Sequence, residues 1–220
     1  MGRFMNHKKW VVALALIATA LILTHLPVSE ADAAASASEF QIEGSTLTKY
    51  RGSDERVTIP DTVEVVGESA FENNQKVQFV VVPKSVKRMD AYVFWGCDNL
   101  EEVVLGKGLT SVDEYAFSGC TGLKQITIPE NVQSIDAQAF AGCTNLTDIY
   151  IPDTVTSIAD DAFLNCDNVT IHADEGSVAE KFAQKLAEQK SESYGNGSAD
   201  GDTGGRRNFR FTGNNRACPH

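Results

Sequence analysis

Four cysteines at a constant spacing are the residues of this sequence with the clearest capacity for chemistry. Cys97, Cys120, Cys143 and Cys166 are each separated by 23 positions, and Asn74 stands one period earlier. In an exported chain such a set would ordinarily suggest disulfides or a metal site. A constant spacing, however, is typical of a repeat whose units stack as successive coils. Equivalent residues of such coils lie about 4.8 Å apart with parallel side-chain directions, which is poor torsional geometry for a disulfide. We therefore expect a column of buried, reduced thiols that act as small hydrophobic residues.

Histidines and carboxylates do not assemble a reaction centre. Beyond the first 34 residues only His172 and His220 occur, and neither lies near a Cys or carboxylate cluster at ligand spacing. The sequence therefore offers neither the ligand set of a zinc site nor the paired nucleophile and base of Cys/His or Ser/His catalysis. Paired carboxylates such as Glu101-Glu102 fit a solvated surface better than acid–base chemistry. The sequence predicts no enzyme activity, no catalytic residue, no metal site and no cofactor.

Length and charge limit the classes of partner that the protein can bind. The chain has 220 residues, of which 42% are hydrophobic, so it can build a core and is not wholly disordered. It carries 19 Lys and Arg against 30 Asp and Glu, a net charge of −11. Because a nucleic-acid-binding protein gains affinity by neutralising phosphates, this balance opposes DNA and RNA as partners.

The cysteines belong to a larger 23-residue repeat, which must be recognised before any helix or strand is assigned. The same step separates five phenylalanines, four prolines and several columns of aliphatic residues. The phenylalanines are Phe71, Phe94, Phe117, Phe140 and Phe163, and the prolines are Pro60, Pro83, Pro129 and Pro152. No insertion or deletion interrupts these columns over five copies, and we assign the five repeats to residues 57–172.

Each repeat reads as one coil of a solenoid. Ile126-Thr127-Ile128 alternates apolar and polar residues as a half-buried strand does, and Pro129 then ends the strand by removing a backbone donor. The chain returns on the other side and places Phe140 in the interior. One coil alone cannot bury enough apolar surface to fold, so coils must stack and share their cores.

At these positions the sequence resembles the BspA-type leucine-rich repeats, over about residues 40–185. The family pattern stands here as Leu123-Lys124-Gln125-Ile126-Thr127-Ile128-Pro129, followed by Val132, Ile135, Ala139-Phe140 and Cys143. Departures are Gly106 for Pro, Asn74 for Cys and Val93 for Ala. The resemblance implies a leucine-rich-repeat-like solenoid, mainly β with short helical turns, in a secreted or surface-exposed protein. Family members with assigned roles are adhesins or binders of host proteins.

Both ends of the array are predicted to be capped, since an open solenoid end exposes apolar core. Residues 39–56 read as a β-hairpin with a turn at Gly44-Ser45. Residues 173–190 read as a helix, with a capping box of Ser177 and Glu180 and an apolar stripe that includes Phe182. Residues 191–220 are expected to be a disordered, solvated tail; contact of its arginines with an anionic wall polymer, and an intermolecular bridge through Cys218, are the alternatives.

The beginning of the chain reads as a secretory signal. Basic residues precede an uncharged apolar run from Trp10 to Thr24, which at 15 residues is shorter than the ~20 of a membrane-spanning helix. Small residues after Pro27 offer cleavage near residue 33 or 37. We assign residues 1–34 to a signal peptide, with an uncleaved anchor as the alternative. The mature chain is then expected to be secreted or at the cell surface, without a stable membrane span.

The functional prediction concerns outward positions of the strands, because solenoids bind partners through extended regular faces. The candidate binding residues on this face are Phe79, Val81, Glu102, Val104, Asp148 and Tyr150. Phe79, Val81 and Val104 are expected to form an exposed apolar strip across two coils, which is an indicator of a protein contact. A second candidate face is formed by Tyr92, Trp95 and Tyr115. We predict a monomeric binding module whose partner is a host or cell-surface protein. The alternative is a structural spacer of the cell envelope without a soluble ligand.

Overall fold

The computed structural model describes residues 39–195, and side chains only up to residue 188. The predicted signal peptide, Cys218, His220 and the tail beyond residue 195 lie outside the described residues. Within them the chain forms the predicted parallel solenoid, with about six coils where the sequence indicates five repeats. One strand of each coil joins a six-stranded parallel sheet, in which strands of successive coils are neighbours. These strands are β3 (Arg56–Thr58), β5 (Phe79–Val81), β7 (Glu102–Val104), β9 (Gln125–Thr127), β11 (Asp148–Tyr150) and β13 (Thr170–His172).

The opposite side of each coil contributes a strand of only two residues. These strands are β4 (Val65–Val66), β6 (Arg88–Met89), β8 (Ser111–Val112), β10 (Ser134–Ile135) and β12 (Ser157–Ile158). β8, β10 and β12 form a three-stranded parallel sheet, whereas β4 and β6 extend the sheet of the N-terminal hairpin. The strands are short because only their second residue faces the interior, and the chain then turns.

The predicted N-terminal hairpin is confirmed. β1 (Phe40–Glu43) pairs antiparallel with β2 (Thr46–Tyr50), and β2 pairs in parallel with β4 of the first coil. Leu47 is fully buried, and the ring of Tyr50 lies 5.0 Å from that of Phe71. The hairpin therefore covers the apolar end of the first coil.

A stack of phenylalanines runs through the interior. The ring centroids of Phe71 and Phe94 are 5.0 Å apart, and each later pair in the column down to Phe163 is 5.3 Å apart. The middle residue of each strand packs against this stack; Val80 and Ile149, for example, are fully buried. The five phenylalanines thus form one continuous internal column, which the repeat requires.

The last strand departs from the 23-residue step. Tyr150 pairs with His172, and the two are only 22 positions apart in the sequence. β13 nevertheless continues the six-stranded sheet in register, with Ile171 in the interior. A sixth strand therefore covers the core of the fifth repeat before the chain enters the helix.

The C-terminal helix α1 (Val178–Gly195) covers the other end of the solenoid. The Ser177 Oγ accepts a hydrogen bond from the Glu180 N–H at 3.1 Å, and the Glu180 carboxylate accepts one from the Gly176 N–H at 2.6 Å. Phe182 is buried against the ring of Phe163, with centroids 5.8 Å apart. The helix extends through Gly195, the last described residue, and so runs beyond the predicted end near residue 190. No helix among residues 39–195 is both long and apolar enough to cross a bilayer.

Candidate binding surface

The cysteine column is buried and reduced in the part of the chain described. Each thiol donates a hydrogen bond to the carbonyl oxygen of a phenylalanine in the preceding coil, at Sγ–O distances of 2.9–3.1 Å. The pairs are Cys97 with Phe71, Cys120 with Phe94, Cys143 with Phe117, and Cys166 with Phe140. At the start of the column the Asn74 Oδ1 accepts the N–H groups of Lys76 and Val77, at 2.9 and 3.1 Å. Cys and Asn therefore satisfy backbone groups at the same turn by opposite roles.

Burial makes these thiols unreactive, because it keeps them protonated. It raises the pKa of Cys97 to about 12 and that of Cys120 well above its usual range. The pKa of Cys143 is also raised, by its hydrogen bond with Cys166 and by burial. Since the thiolate is the form that attacks electrophiles and binds metals, the column has a structural role. Among residues 39–195 no group of three or more His, Cys, Asp or Glu side chains is placed to hold a metal ion.

The outward side of the six-stranded sheet, here called the strand face, carries the first set of predicted binding residues. At the N-terminal end of this face the structure corrects the predicted exposure of Phe79. Phe79 points outward but is only 7% exposed, because the Arg56 guanidinium lies over its ring at 5.2 Å. Arg56 and Phe79 are direct neighbours in the strand register, so a long cationic side chain can cover the ring. The expectation of Phe79 as part of an exposed apolar strip is therefore wrong.

The middle of the strand face is a shallow and mixed surface. Val81 and Val104 are paired neighbours and both are half-buried, as is Glu102. Just before the strands, the Lys124 ammonium contacts the Glu101 carboxylate at 2.5 Å. The two valines form a small apolar area bordered by charge, which is smaller than the strip that the sequence predicts.

The C-terminal end of the strand face brings together three side chains, here called the terminal patch: Asp148, Tyr150 and His172. The imidazole Nε2 of His172 lies 2.8 Å from the Asp148 Oδ1. The same imidazole stacks on the Tyr150 ring, with centroids 4.4 Å apart and planes inclined by 12°. The side chains of His172 and Asp148 remain 27% and 39% exposed. The patch is fixed by its own contacts and still open to solvent.

Electrostatic interactions link the three side chains of the terminal patch. Partial burial by itself would raise the pKa of Asp148, but the hydrogen bonds of His172 and Thr147 and the charge of His172 outweigh it and lower that pKa. Burial and the nearby Asp148 carboxylate raise the pKa of Tyr150. The patch therefore presents an ionised carboxylate beside a neutral phenol at neutral pH.

His172 is the residue of this patch that the sequence analysis missed. His172 and Asp148 are 24 positions apart, so local spacing along the chain does not pair them. The missing signal is the outward column Thr58, Val81, Val104, Thr127 and Tyr150, which His172 continues if one step is 22 residues long. A one-residue deletion in the last repeat hid the column.

The second predicted set, here called the tyrosine face, lies on the turns beside the phenylalanine column. The rings of Tyr92 and Tyr115 stack at 4.8 Å with planes 6° apart. Both residues adopt a left-handed backbone, with φ of 60° and 55°, but Ser69 and Gln138 do the same in their coils. The unusual backbone is therefore a property of the repeat and does not mark a site. Trp95 is 38% exposed on the same side of the molecule.

Comparisons with known proteins agree with this geometry. The description "BspA type Leucine rich repeat region" is matched in 6 copies over residues 45–170, which is more than half of the chain. Among curated proteins no significant match is found. Several solved structures share the fold.

Three of these structures come from different bacteria. A leucine rich cell surface protein from Faecalibacterium prausnitzii A2-165 is 34% identical, with a TM-score of 0.58 over 61% of this chain and 36% of its own. The leucine rich repeat protein of T. pallidum is 28% identical, with a TM-score of 0.59 over 61% of this chain and 69% of its own. A leucine-rich repeat protein from Bacteroides ovatus ATCC 8483 is 29% identical, with a TM-score of 0.53 over 62% of this chain and 37% of its own.

The chain thus spans little more than a third of the Faecalibacterium and Bacteroides proteins. The matched repeats coincide with the coils of the solenoid, from the hairpin to the last strand. The chain therefore belongs to the family of BspA-type leucine-rich-repeat proteins.

Proposed function

We propose that this protein is an exported or surface-exposed binding module that engages another protein through the terminal patch and the adjoining strand face. The observation that carries this proposal is the stacked, partly exposed pair of Tyr150 and His172 beside Asp148. The Tyr150 side chain keeps intermediate exposure, whereas Phe79 beneath Arg56 is only 7% exposed.

The chemistry of the patch suits protein recognition. Tyrosine is enriched among the residues that dominate binding energy, because a rigid aromatic ring buries area at small cost in side-chain entropy. Here the ring is already held by the stacked imidazole, so little ordering remains to be lost on binding. Asp148 adds a fixed hydrogen-bond acceptor at the rim, which favours a partner that offers a cation or an N–H group.

Location outside the cytoplasm is part of the proposal. The signal-like pattern of residues 1–34 supports export. The Faecalibacterium relative is described as a cell surface protein. Stacked coils with a rigid outward face suit an adhesin-like role at such a surface.

An array of extracellular matrix proteins and host glycans tests the proposal. Wild type is compared with Tyr150→Ser combined with His172→Ser, and the matched control is Tyr115→Ser combined with Trp95→Ser on the tyrosine face. We expect at least a tenfold loss of affinity for the bound protein component in the terminal-patch variant, roughly the effect of one dominant contact. The control is expected to bind like wild type.

Other outcomes decide against this assignment. Equal binding by the terminal-patch variant and wild type would remove the patch from the interface. Loss of binding only in the control variant would move the site to the tyrosine face. Failure of wild type to bind any arrayed component would favour a spacer module of the envelope. Circular dichroism of each variant separates lost binding from lost folding.

A further inference from the structure

A second surface feature lies on the turns that follow the strands of the first coils. It is an open groove of about 490 Å³ between successive turns. Its lining is Lys84, Ser85, Lys87, Lys107 and Gly108, with Asp61 from the preceding coil and Asn131 from the following one. This groove, here called the lysine groove, is separate in sequence from the terminal patch and plays no part in the function proposed above.

The groove lies at the turn after β7, where Gly106 stands in place of the proline of the neighbouring coils. A Cβ atom at Gly106 would lie 2.3 Å from the carbonyl oxygen of Pro83, and one at Gly108 would lie 2.3 Å from that of Lys84. Only glycine therefore allows the Gly106-Lys107-Gly108 turn to approach the preceding turn so closely. The same two glycines leave no side chain above Ser85.

Ser85 differs from its equivalents in other coils. The Asn131 Nδ2 donates to the Lys107 carbonyl at 2.6 Å, and the Thr154 Oγ1 donates to the Val132 carbonyl at 3.2 Å. The Ser85 Oγ, by contrast, is buried and has no hydrogen-bond partner among residues 39–195. A buried hydroxyl without a partner costs free energy. Its position in the lining of a basic groove suggests that a ligand satisfies it.

The charge of the groove contrasts with that of the molecule. Residues 39–195 contain 12 Lys and Arg against 26 Asp and Glu. The groove lining has three lysines and one carboxylate. Within residues 39–195, no ion pair within 4 Å involves any of these lysines. Lys84 and Lys107 occupy equivalent positions of successive coils, about 4.8 Å apart, where like charges repel each other.

We propose that the lysine groove binds a single tetrahedral oxyanion, carried as a sulfate or phosphate ester. Lysine ammonium groups bind such oxyanions as point charges, and the Ser85 hydroxyl supplies a directional donor. The column that contains Lys84 and Lys107 reads Asp61 before them and Glu130 and Asp153 after them. The basic footprint therefore covers two coils, which accommodates one oxyanion and repels a long run of them.

Amide chemical shifts provide the test. A ¹⁵N-labelled chain is titrated with glucose 6-phosphate and with glucose 6-sulfate, and glucose serves as the neutral control. We expect saturable shifts of the Ser85, Lys107 and Gly108 amides with one or both esters and none with glucose. Comparing the two esters shows whether phosphate or sulfate is preferred. Shifts spread over the surface without saturation would overturn the proposal.

Two double variants that remove the same amount of charge show which lysines bind the ester. Lys84→Gln combined with Lys107→Gln is expected to weaken ester binding at least tenfold. Lys76→Gln combined with Lys181→Gln removes the same charge outside the groove lining and is expected to leave affinity unchanged. Equal weakening in both double variants would reduce the effect to net charge and contradict a site.

Ser85→Ala separates a binding role of the hydroxyl from a structural one. Because the hydroxyl has no partner among residues 39–195, its removal is expected to leave the melting temperature unchanged or higher. Affinity for the ester is expected to fall about fivefold. An unchanged affinity would remove the hydroxyl from the site, and a large fall in melting temperature would show that it is structural.

Discussion

The interior of the coils and the strand face are made by the same repeat, yet they differ in how uniform they are. Inside, the rings of the phenylalanine column stack at 5.0–5.3 Å, and each cysteine of the thiol column bonds to the coil before it. Outside, one row of the strand face contains Arg56, Phe79, Glu102, Gln125 and Asp148.

The difference lies in the number of neighbours that each position must satisfy. An interior side chain packs between two copies of itself, so a change in one coil leaves a void or a clash in the next. An outward side chain meets its neighbours on the strand face and water above it. Its exposure then depends on which residue stands beside it, as the covered Phe79 and the partly exposed Tyr150 show.

The largest expected effect is in the interior. Phe117→Ala removes a ring that stacks on Phe94 and Phe140, each 5.3 Å away. We expect the free energy of unfolding to fall by about 3–5 kcal/mol. The matched outward change, Val104→Ala, should cost less than about 1 kcal/mol. Urea unfolding measures both, and similar losses at the two sites would break the comparison.

A smaller effect is expected where the strand face is covered. Phe79 is 7% exposed although it points outward, so Phe79→Ala should lower the free energy of unfolding by about 1–2 kcal/mol. Arg56→Ala should cost about 0.5–1 kcal/mol, since it removes the cation above the ring. Thermal or urea unfolding tests both changes. If Phe79→Ala proves neutral, burial on the strand face does not contribute to stability.

The smallest effect is a pH dependence at the terminal patch. The pKa of Asp148 is lowered in the folded chain, so its ionised form stabilises the fold at pH values above its unfolded pKa of about 3.9. This contribution is lost as the pH falls through the lower folded value. The difference in stability between wild type and Asp148→Asn should therefore be present at pH 5 and disappear in strong acid. Urea unfolding over this range measures the difference; a constant or growing value would contradict the contact with His172.

The sequence predicts the interior well, because every coil repeats the same packing problem and therefore the same residue types. The thiol column follows from that periodicity, and the hairpin and the capping helix follow from local turn and capping signals at the ends of the array; all three are found. Exposure on the strand face does not follow, since alternation shows that Phe79 points outward but not that Arg56 lies over it. The place of His172 does not follow from the sequence, because a 22-residue step interrupts the outward column. The lysine groove does not follow either, because the close approach of the Gly106-Lys107-Gly108 turn to the preceding turn is visible only in the structure.

Thiol accessibility tests most directly the claim that each coil is closed by its neighbours. A Cys218→Ser variant retains the four cysteines of the thiol column, all of them buried. With an aromatic disulfide reagent, the folded variant should release no chromophore within minutes, and the protein unfolded in denaturant should release four equivalents. Rapid reaction of two or more thiols in the folded protein would show that the coils do not close over one another, and would contradict the account.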